Sequence, residues 1–134
     1  MLYSQETSYA IRIIDALKDG ELHKASDICA SQQIPQPWAY KIAKKLEEAG
    51  FIEIKRGRYG GYKLAKPLEA FTFKDMIFSI EPEINIRPCL NAPCPLKRDK
   101  GTCSLYHEIM KLQSNIVGLL DESTMEDVLC RDDL

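Results

Sequence analysis

The sequence predicts a mainly α-helical fold with a small β-hairpin, arranged as a winged helix-turn-helix domain followed by a long helix. Apolar residues recur at helical spacing in three segments before residue 50, with turn signals between them. An alternating segment with a Gly-Gly turn follows directly. A heptad-like apolar seam occupies the C-terminal part. We therefore expect a winged domain over 1–80, a cysteine-rich loop over 81–103, and a long helix with an acidic tail over 104–134.

Composition and charge narrow the class of protein. The 134 residues are 45% hydrophobic, which is enough to bury a modest core. Residues 1–80 carry 12 Lys and Arg against 10 Asp and Glu, whereas residues 81–134 carry 6 against 10, so the N-terminal part suits an anionic partner better. The sequence shows neither a signal-peptide pattern nor a long apolar run, so we expect a cytoplasmic protein with no membrane partner. It also shows no catalytic constellation, which argues against an enzyme or a small-molecule substrate.

The helix-turn-helix is predicted from three successive segments. The first helix spans Gln5 to Leu17 and stops at an Asp-Gly turn signal. The second is expected from Ser26 to Gln32, with the Ser26 hydroxyl as its N-cap. Pro35 then interrupts the chain, and Pro37 fits the first turn of a third helix. The residues of the third helix expected to point inward are Ala39, Ile42, Ala43 and Leu46.

A basic hairpin is predicted directly after the third helix. The segment FIEIKR alternates apolar and polar residues, RYGG can turn, and YKLA alternates again. A helix-turn-helix followed by such a hairpin is the winged form of the motif. The next segment, TFKDMIFSIE, predicts a fourth helix that begins with Thr72 and Asp75 in a capping-box relation.

The exposed side chains of the third helix and the hairpin are typical of a DNA-binding surface. A recognition helix presents donors to base edges, while Lys and Arg contact phosphates. Charged residues on a surface helix are often only solvated, but a basic hairpin directly after a helix-turn-helix favours binding to double-stranded DNA. The predicted contact residues are Gln36, Trp38, Tyr40, Lys41, Lys44 and Lys45 on the helix and Arg56, Arg58, Tyr59 and Lys63 on the hairpin.

The C-terminal segment predicts a dimerisation helix. Its apolar residues are spaced four, three, four and three apart, as in a coiled-coil seam. An isolated helix with one exposed apolar stripe is poorly stable, so the seam is expected to pair with its copy in a homodimer. The alternative is that the helix packs back on its own domain. The seam residues are Leu105, Ile109, Leu112, Ile116 and Leu119.

Three cysteines and a histidine predict a metal centre between the two parts. Four residues separate Cys89 from Cys94, eight separate Cys94 from Cys103, and His107 follows after three more. In a reducing compartment a disulfide framework is disfavoured. The spacing fits a structural zinc site with three thiolates and one imidazole. Prolines beside Cys89 and Cys94 are also found at iron–sulfur clusters, so both metals stay open on the residues alone.

Several motifs together resemble the IscR, NsrR and CymR family of bacterial winged-helix regulators. They are YAIRIIDAL, SDICASQQIP leading into PWAYKIAKKLEEAGFIE, the hairpin KRGRYGGYKLAKP, TFKDMIFSIE, and the three cysteines before a long helix. The resemblance implies that Arg56 enters the minor groove of DNA. It also implies that the major groove is read by Gln36, Pro37, Trp38, Tyr40 and Lys41. Pro35 and Pro37 replace the small hydroxyl residues common in the family, so no operator sequence is implied.

The resemblance also favours an iron–sulfur cluster over zinc, because cluster-bearing members hold a 2Fe-2S or 4Fe-4S cluster with three cysteines at this place. The fourth ligand stays open: His107 lies one position later than the ligating histidine of such members, and the carboxylate position of others corresponds to Ser8, with Glu6 nearby. The implied function is a homodimeric transcriptional repressor that binds a palindromic operator and senses iron–sulfur status, nitric oxide or redox state. The alternatives are a zinc-binding or cluster-free regulator that acts through a protein partner or thiols, and an iron–sulfur electron-transfer subunit.

Overall fold

The computed structural model describes residues 3–83, 85–86, 90 and 92–131. Short 3-10 turns at Leu68–Ala70 and Lys100–Thr102 lie between the main elements. In chain order the helices and strands are α1 (Gln5–Ala16), α2 (Ala25–Gln32), α3 (Gln36–Glu48), β1 (Ile52–Lys55), β2 (Gly61–Leu64), α4 (Phe73–Ile80), α5 (Ser104–Glu122) and α6 (Met125–Leu129).

The hydrophobic core forms where α1, α3 and α4 meet, because each helix turns one apolar stripe inward. Ile13 and Ile14 of α1 and Met76 of α4 are fully buried there. Each large aliphatic side chain buried in this way contributes ~1.5–3 kcal/mol relative to an exposed one. The α3 residues predicted to point inward are all buried, as expected: Ala39, Ile42, Ala43 and Leu46.

The start of α2 differs from the expected one. Lys24, in extended conformation, is the N-cap residue and makes no side-chain capping bond, so the predicted Ser26 cap is wrong. The reason lies in the preceding residue. His23 forms an isolated antiparallel bridge with Tyr62 of β2, with N–H to oxygen distances of 2.9 and 2.8 Å. This bridge holds the chain extended up to Lys24, and the helix begins directly after it.

The predicted wing is an antiparallel hairpin in which Ile52 pairs with Leu64 and Lys55 pairs with Gly61. Its two consecutive glycines are required by close backbone approaches. A β-carbon at Gly60 would overlap the carbonyl oxygen of Lys55, and one at Gly61 would overlap the carbonyl oxygen of His23. The Gly-Gly pair therefore lets the hairpin close on itself and lie against the start of α2.

Two capping boxes stabilise the first turns of α4 and α6. Thr72 and Asp75 form the predicted capping box of α4, with both reciprocal bonds present. Thr124 and Asp127 form an equivalent box at α6. The short helix α6 returns to the core, where Met125 is fully buried and its N–H donates to the carbonyl oxygen of Phe71 at 2.9 Å.

The long helix α5 runs for 19 residues and buries none of them completely. It packs beside α4, and its Gln113 side chain accepts from the Ile86 N–H at 2.9 Å. Three of the predicted seam residues are exposed, namely Leu105 (63%), Leu112 (52%) and Leu119 (63%), while Ile109 and Ile116 are half-buried. In the described part of the chain, no helix has both the length and the apolar character that crossing a bilayer requires.

The burial of Met125 predicts a stability contribution from α6. Replacing Met125 with Ala removes a fully buried side chain and should lower the free energy of unfolding by about 2–4 kcal/mol, because it leaves a cavity in the core. Urea unfolding at a fixed protein concentration measures the change. The control is Val128→Ala on the same helix, where the side chain is 37% exposed. Equal effects of the two substitutions would contradict the packing of α6 on the core.

Candidate DNA-binding surface and cysteine cleft

One face of α3 is polar and aromatic and points to solvent. Pro35 precedes the helix as its N-cap residue, and Pro37 lies in the first turn, where its missing N–H costs nothing. Trp38 is 42% and Tyr40 55% exposed, which is a large exposed fraction for aromatic side chains. The Lys41 ammonium lies 5.0 Å from the centre of the Trp38 ring, and Lys44 lies 5.9 Å from that of Tyr40. Gln36, Pro37, Lys41 and Lys44 are also exposed.

The exposed edge of α3 is bound to α1 by a carboxylate. Both oxygens of Glu6 accept from lysines of α3, one from Lys41 at 3.2 Å and the other from Lys45 at 2.9 Å. The hydrogen bond from Lys45, followed by that from Lys41, holds the pKa of the Glu6 carboxyl below its ordinary value. Lys45 is half-buried as a result, so its prediction as an exposed residue is wrong. Glu6, which was named above as a carboxylate near the fourth-ligand position, is thus hydrogen-bonded to α3 in this structure.

The hairpin loop presents the predicted wing residues to solvent. Arg56, Arg58 and Tyr59 are exposed, and Tyr59 is the most open of them at 81%. The Arg58 guanidinium lies 5.7 Å from the centre of the Tyr59 ring. Lys63, also predicted on the wing, is half-buried within β2 opposite Glu53. The loop tip therefore carries two cations and one flat aromatic ring.

Two of the predicted metal ligands line one cleft. Cys94 and Cys103 are both half-buried and border a cavity of about 280 Å³ with Leu96, Arg98 and Tyr106. Backbone N–H groups of Arg98 and Leu96 donate to the Cys94 sulfur and lower the pKa of its thiol, with Arg98 and Lys100 adding positive charge. The third predicted ligand, Cys89, lies outside the described residues.

The fourth predicted ligand, His107, lies in the first turn of α5. Its backbone N–H donates to the carbonyl oxygen of Cys103 at 3.2 Å, which keeps it close to that cysteine along the chain. One ring nitrogen is hydrogen-bonded to the carbonyl oxygen of Gly101 at 3.1 Å. Among the described residues no group of three or more candidate ligands comes together.

Sequence and structural comparisons identify the family. The model of the Rrf2 family, described as iron-dependent transcriptional regulators, matches residues 3–131. The chain belongs to the Rrf2 family. It is 29% identical to the HTH-type transcriptional regulator NsrR of Bacillus licheniformis, over 99% of this chain and 95% of that protein. It is 31% identical to NsrR of Oceanobacillus iheyensis, over 92% of this chain and 86% of that protein.

Solved structures agree with this fold. The structure of CymR, the global cysteine regulator of B. subtilis, superposes with a TM-score of 0.74 over 99% of both chains at 24% identity. The predicted fold, a mainly helical winged helix-turn-helix with one hairpin, is confirmed. Rrf2 proteins are transcriptional regulators, so this chain is a DNA-binding regulator and the prediction that it is not an enzyme is confirmed.

Some residues of this surface escaped the sequence analysis. Lys24 and Lys55 border the same cleft but were not among the predicted contact residues. Lys24 precedes α2 and lies outside the basic segment KRGR, whereas Lys55 begins that segment at the end of β1. The pairing of Glu6 with α3 joins residues 35 and 39 positions apart. Its only signal in the sequence is the position of Glu6 in the first turn of α1, where a carboxylate is expected for its interaction with the helix dipole.

The Glu6 ion pairs predict a pH-dependent contribution to stability. Because the folded protein lowers the pKa of this carboxyl, the contribution is complete above the ordinary value of 4.5 and is lost as pH falls through the lower folded value. Replacing Glu6 with Gln should therefore cost about 1 kcal/mol at neutral pH, as expected for two partly exposed pairs. Below the folded pKa the variant and the native chain should unfold at the same urea concentration.

A control for this experiment is Glu108→Gln, which removes an exposed carboxylate of α5. It should leave the urea midpoint nearly unchanged at neutral pH. A stability difference between Glu6→Gln and the native chain that persists unchanged into strong acid would show that the pairs do not act through the charge of Glu6.

Proposed function

We propose that this Rrf2 protein is a homodimeric transcriptional repressor of the cytoplasm, which binds a palindromic operator and senses iron–sulfur status, nitric oxide or redox state. The sensing group is an iron–sulfur cluster held by Cys89, Cys94 and Cys103. The observation that carries this proposal is the shared cleft of Cys94 and Cys103 at the start of α5, in the segment that joins the winged domain to the long helix. The description of the family as iron-dependent supports the same metal.

The chemistry of the cleft fits an iron–sulfur cluster. Iron–sulfur clusters are held by thiolates, and the lowered pKa of Cys94 favours the thiolate. The cations of Arg98 and Lys100 at the cleft offset the negative charge that such a cluster and its ligands carry. Leu96, Leu105 and Tyr106 supply the apolar part of the lining. When bound, the cluster supplies iron that reacts with nitric oxide or oxygen.

The two candidates for the fourth ligand, His107 and Glu6, are both hydrogen-bonded in this structure. His107 would have to exchange its bond to the Gly101 carbonyl for iron. Glu6 would have to leave two lysines of the recognition helix. Of the two, His107 gives up the weaker interaction, since it makes one hydrogen bond to a backbone carbonyl whereas the Glu6 carboxylate pairs with two lysines. We therefore place His107 first as the fourth ligand, and its exchangeable character suits a sensor.

Anaerobic purification tests the cluster. The native chain should be brown, with iron and acid-labile sulfide in stoichiometric amounts, and Cys94→Ala should lose both the visible absorption and the sulfide because one of three thiolates is missing. Cys130→Ala removes an exposed thiol distant in sequence and should keep the cluster. A colourless native protein that holds zinc would favour the structural zinc site, and one without metal would favour a thiol-based regulator.

The DNA-binding surface is proposed to comprise α3 and the wing. The side chains that enter the major groove are Gln36, Pro37, Trp38, Tyr40, Lys41 and Lys44, and those of the wing are Arg56, Arg58 and Tyr59. Their common exposure supports this proposal, because groove contacts need side chains that no other part of the chain covers. Arg56 at the wing tip suits the narrow minor groove, whose potential attracts arginine.

Charge reversal at Arg56 and Arg58 tests the wing. The native chain first selects duplexes from a random-sequence pool, and fluorescence anisotropy then measures affinity over a range of salt concentrations. The double reversal should weaken binding at least tenfold and flatten its salt dependence, because fewer counterions are released. The same reversal at Lys111, an exposed residue of α5, should leave the affinity within about twofold. Unchanged binding by the wing variant would reject its role.

The exposed stripe of α5 is proposed as the dimer interface. Leu105, Leu112 and Leu119 recur every seven residues and are all more than half exposed, so the winged domain of their own chain does not cover them. Pairing of two such helices would bury the stripe and place two winged domains with two-fold symmetry. A palindromic operator follows from that symmetry.

Replacing Leu112 with Glu tests this interface. The native chain should have the mass of a dimer by size-exclusion chromatography with light scattering, and Leu112→Glu should be monomeric because it would bury a carboxylate in the seam. Ser114→Glu adds the same charge to an exposed position on the opposite face of α5 and should remain dimeric. A monomeric native chain at micromolar concentration would contradict the proposal.

A further inference from the structure

A basic cleft lies between the wing and the start of α2. It has a volume of about 320 Å³ and carries the cationic side chains of Lys24, Lys55 and Arg58 at its edge. All three side chains are exposed. None of the residues that line this cleft, all within the described part of the chain, is acidic. Three cations without a neutralising carboxylate make a site for an anion.

The walls of this basic cleft are fixed by backbone hydrogen bonds. The bridge between His23 and Tyr62 joins the residue before Lys24 to β2, through bonds of 2.9 and 2.8 Å. Because Gly61 has no side chain, the strand lies directly against the carbonyl of His23. Lys55 lies opposite Gly61 in the hairpin. The backbones that carry Lys24 and Lys55 are therefore held next to each other, so that an anion needs to order only the two side chains and not the chain that bears them.

The basic cleft lies close to both elements proposed to contact DNA, α3 and the wing. Ala25 and Ser26 of α2 line the basic cleft on one side, and on the other side they line a second cleft with Gln36 and Tyr40 of α3. The first turn of α2 thus lies between the beginning of the recognition helix and the wing. In duplex DNA, the strand between a major groove and the adjacent minor groove is the sugar-phosphate backbone.

We propose that the basic cleft binds a phosphodiester of the DNA backbone, one in each protomer, with Lys24 and Lys55 as phosphate contacts that join Arg58. This inference rests on the proposed binding mode, in which α3 enters the major groove and the wing enters the neighbouring minor groove. The backbone strand then crosses the first turn of α2. The Ser26 hydroxyl at the same cleft can donate to a phosphate oxygen.

A phosphate contact of this kind fixes the register of the protein on DNA without selecting a sequence. Lys24 and Lys55 should therefore contribute equally to the binding of selected and scrambled duplexes. Their effect differs from that of base-contacting residues of α3, whose loss should weaken the selected duplex most. The wing and the recognition helix would be positioned together, because the phosphate is bound at the junction between them.

Neutral substitutions measured across salt concentrations test the proposal. Lys24→Gln and Lys55→Gln should each weaken binding by roughly fivefold on both selected and scrambled duplexes. Each should also reduce the slope of log affinity against log salt by about 1, because one phosphate contact is lost. Lys18→Gln is the matched control, since it removes one positive charge at a separate cleft beside α6. It should change neither quantity.

Replacement of single phosphates with neutral methylphosphonate locates the contact on the DNA. At one position in each half-site, the substitution should weaken the native chain and have little further effect on Lys24→Gln, so that the two changes are not additive. Full additivity at every phosphate, with unchanged salt slopes, would overturn the proposal.

Two further outcomes distinguish a free anion from a DNA phosphate, and failure of the basic cleft from failure of the proposed function. Phosphorus NMR with inorganic phosphate measures binding without DNA. If Lys24→Gln and Lys55→Gln abolish that binding but leave the salt slope for DNA unchanged, the basic cleft binds a free anion and the DNA-backbone assignment is wrong. If the native chain, in both metal-loaded and metal-free form, selects no duplex from the pool, the proposed function itself fails.

Discussion

The antiparallel bridge between His23 and Tyr62 is the interaction on which the geometry of the winged domain depends. It joins the chain before α2 to the second strand of the hairpin, two segments that lie far apart in the sequence. A residue with a side chain at position 61 would push the two backbones apart. Because α2 also packs against α3, the bridge determines how far the wing lies from the recognition helix. In the proposed binding mode, that distance has to match the spacing of adjacent grooves in DNA.

The positive charge of the recognition helix is partly offset within the molecule. Glu6 accepts from two of its lysines, and Lys41 lies over the Trp38 ring as well. A phosphate that binds Lys41 must therefore compete with a carboxylate already in contact with it. Part of the binding energy offsets the loss of that ion pair, which lowers affinity for every sequence. Base contacts then account for a larger share of the discrimination between sites.

Local signals were sufficient to predict most of the fold from the sequence. The inward residues of α3, the Thr72 capping box and the hairpin each depend on residues within a few positions of one another. Contacts between distant segments were not predictable in this way. The bridge at His23 displaced the expected Ser26 cap, and the return of α6 to the core has no local pattern. The shared cleft brings two predicted ligands, Cys94 and Cys103, to one wall, which their spacing in the sequence alone could not show.

The anchoring of α5 at one end has a mechanical consequence. At its C-terminal end the chain is joined to α4 through Ser123, whose carbonyl oxygen accepts from Phe73 at 2.8 Å, and through the buried Met125. At its N-terminal end lies the cysteine cleft. With 19 residues, the helix is about 28 Å long. A rotation of about 10° around the anchored end displaces the cysteine end by roughly 5 Å. A movement of roughly 5 Å at the cysteine cleft thus corresponds to a tilt of only about 10° of α5 about its C-terminal end, where it meets the winged domain.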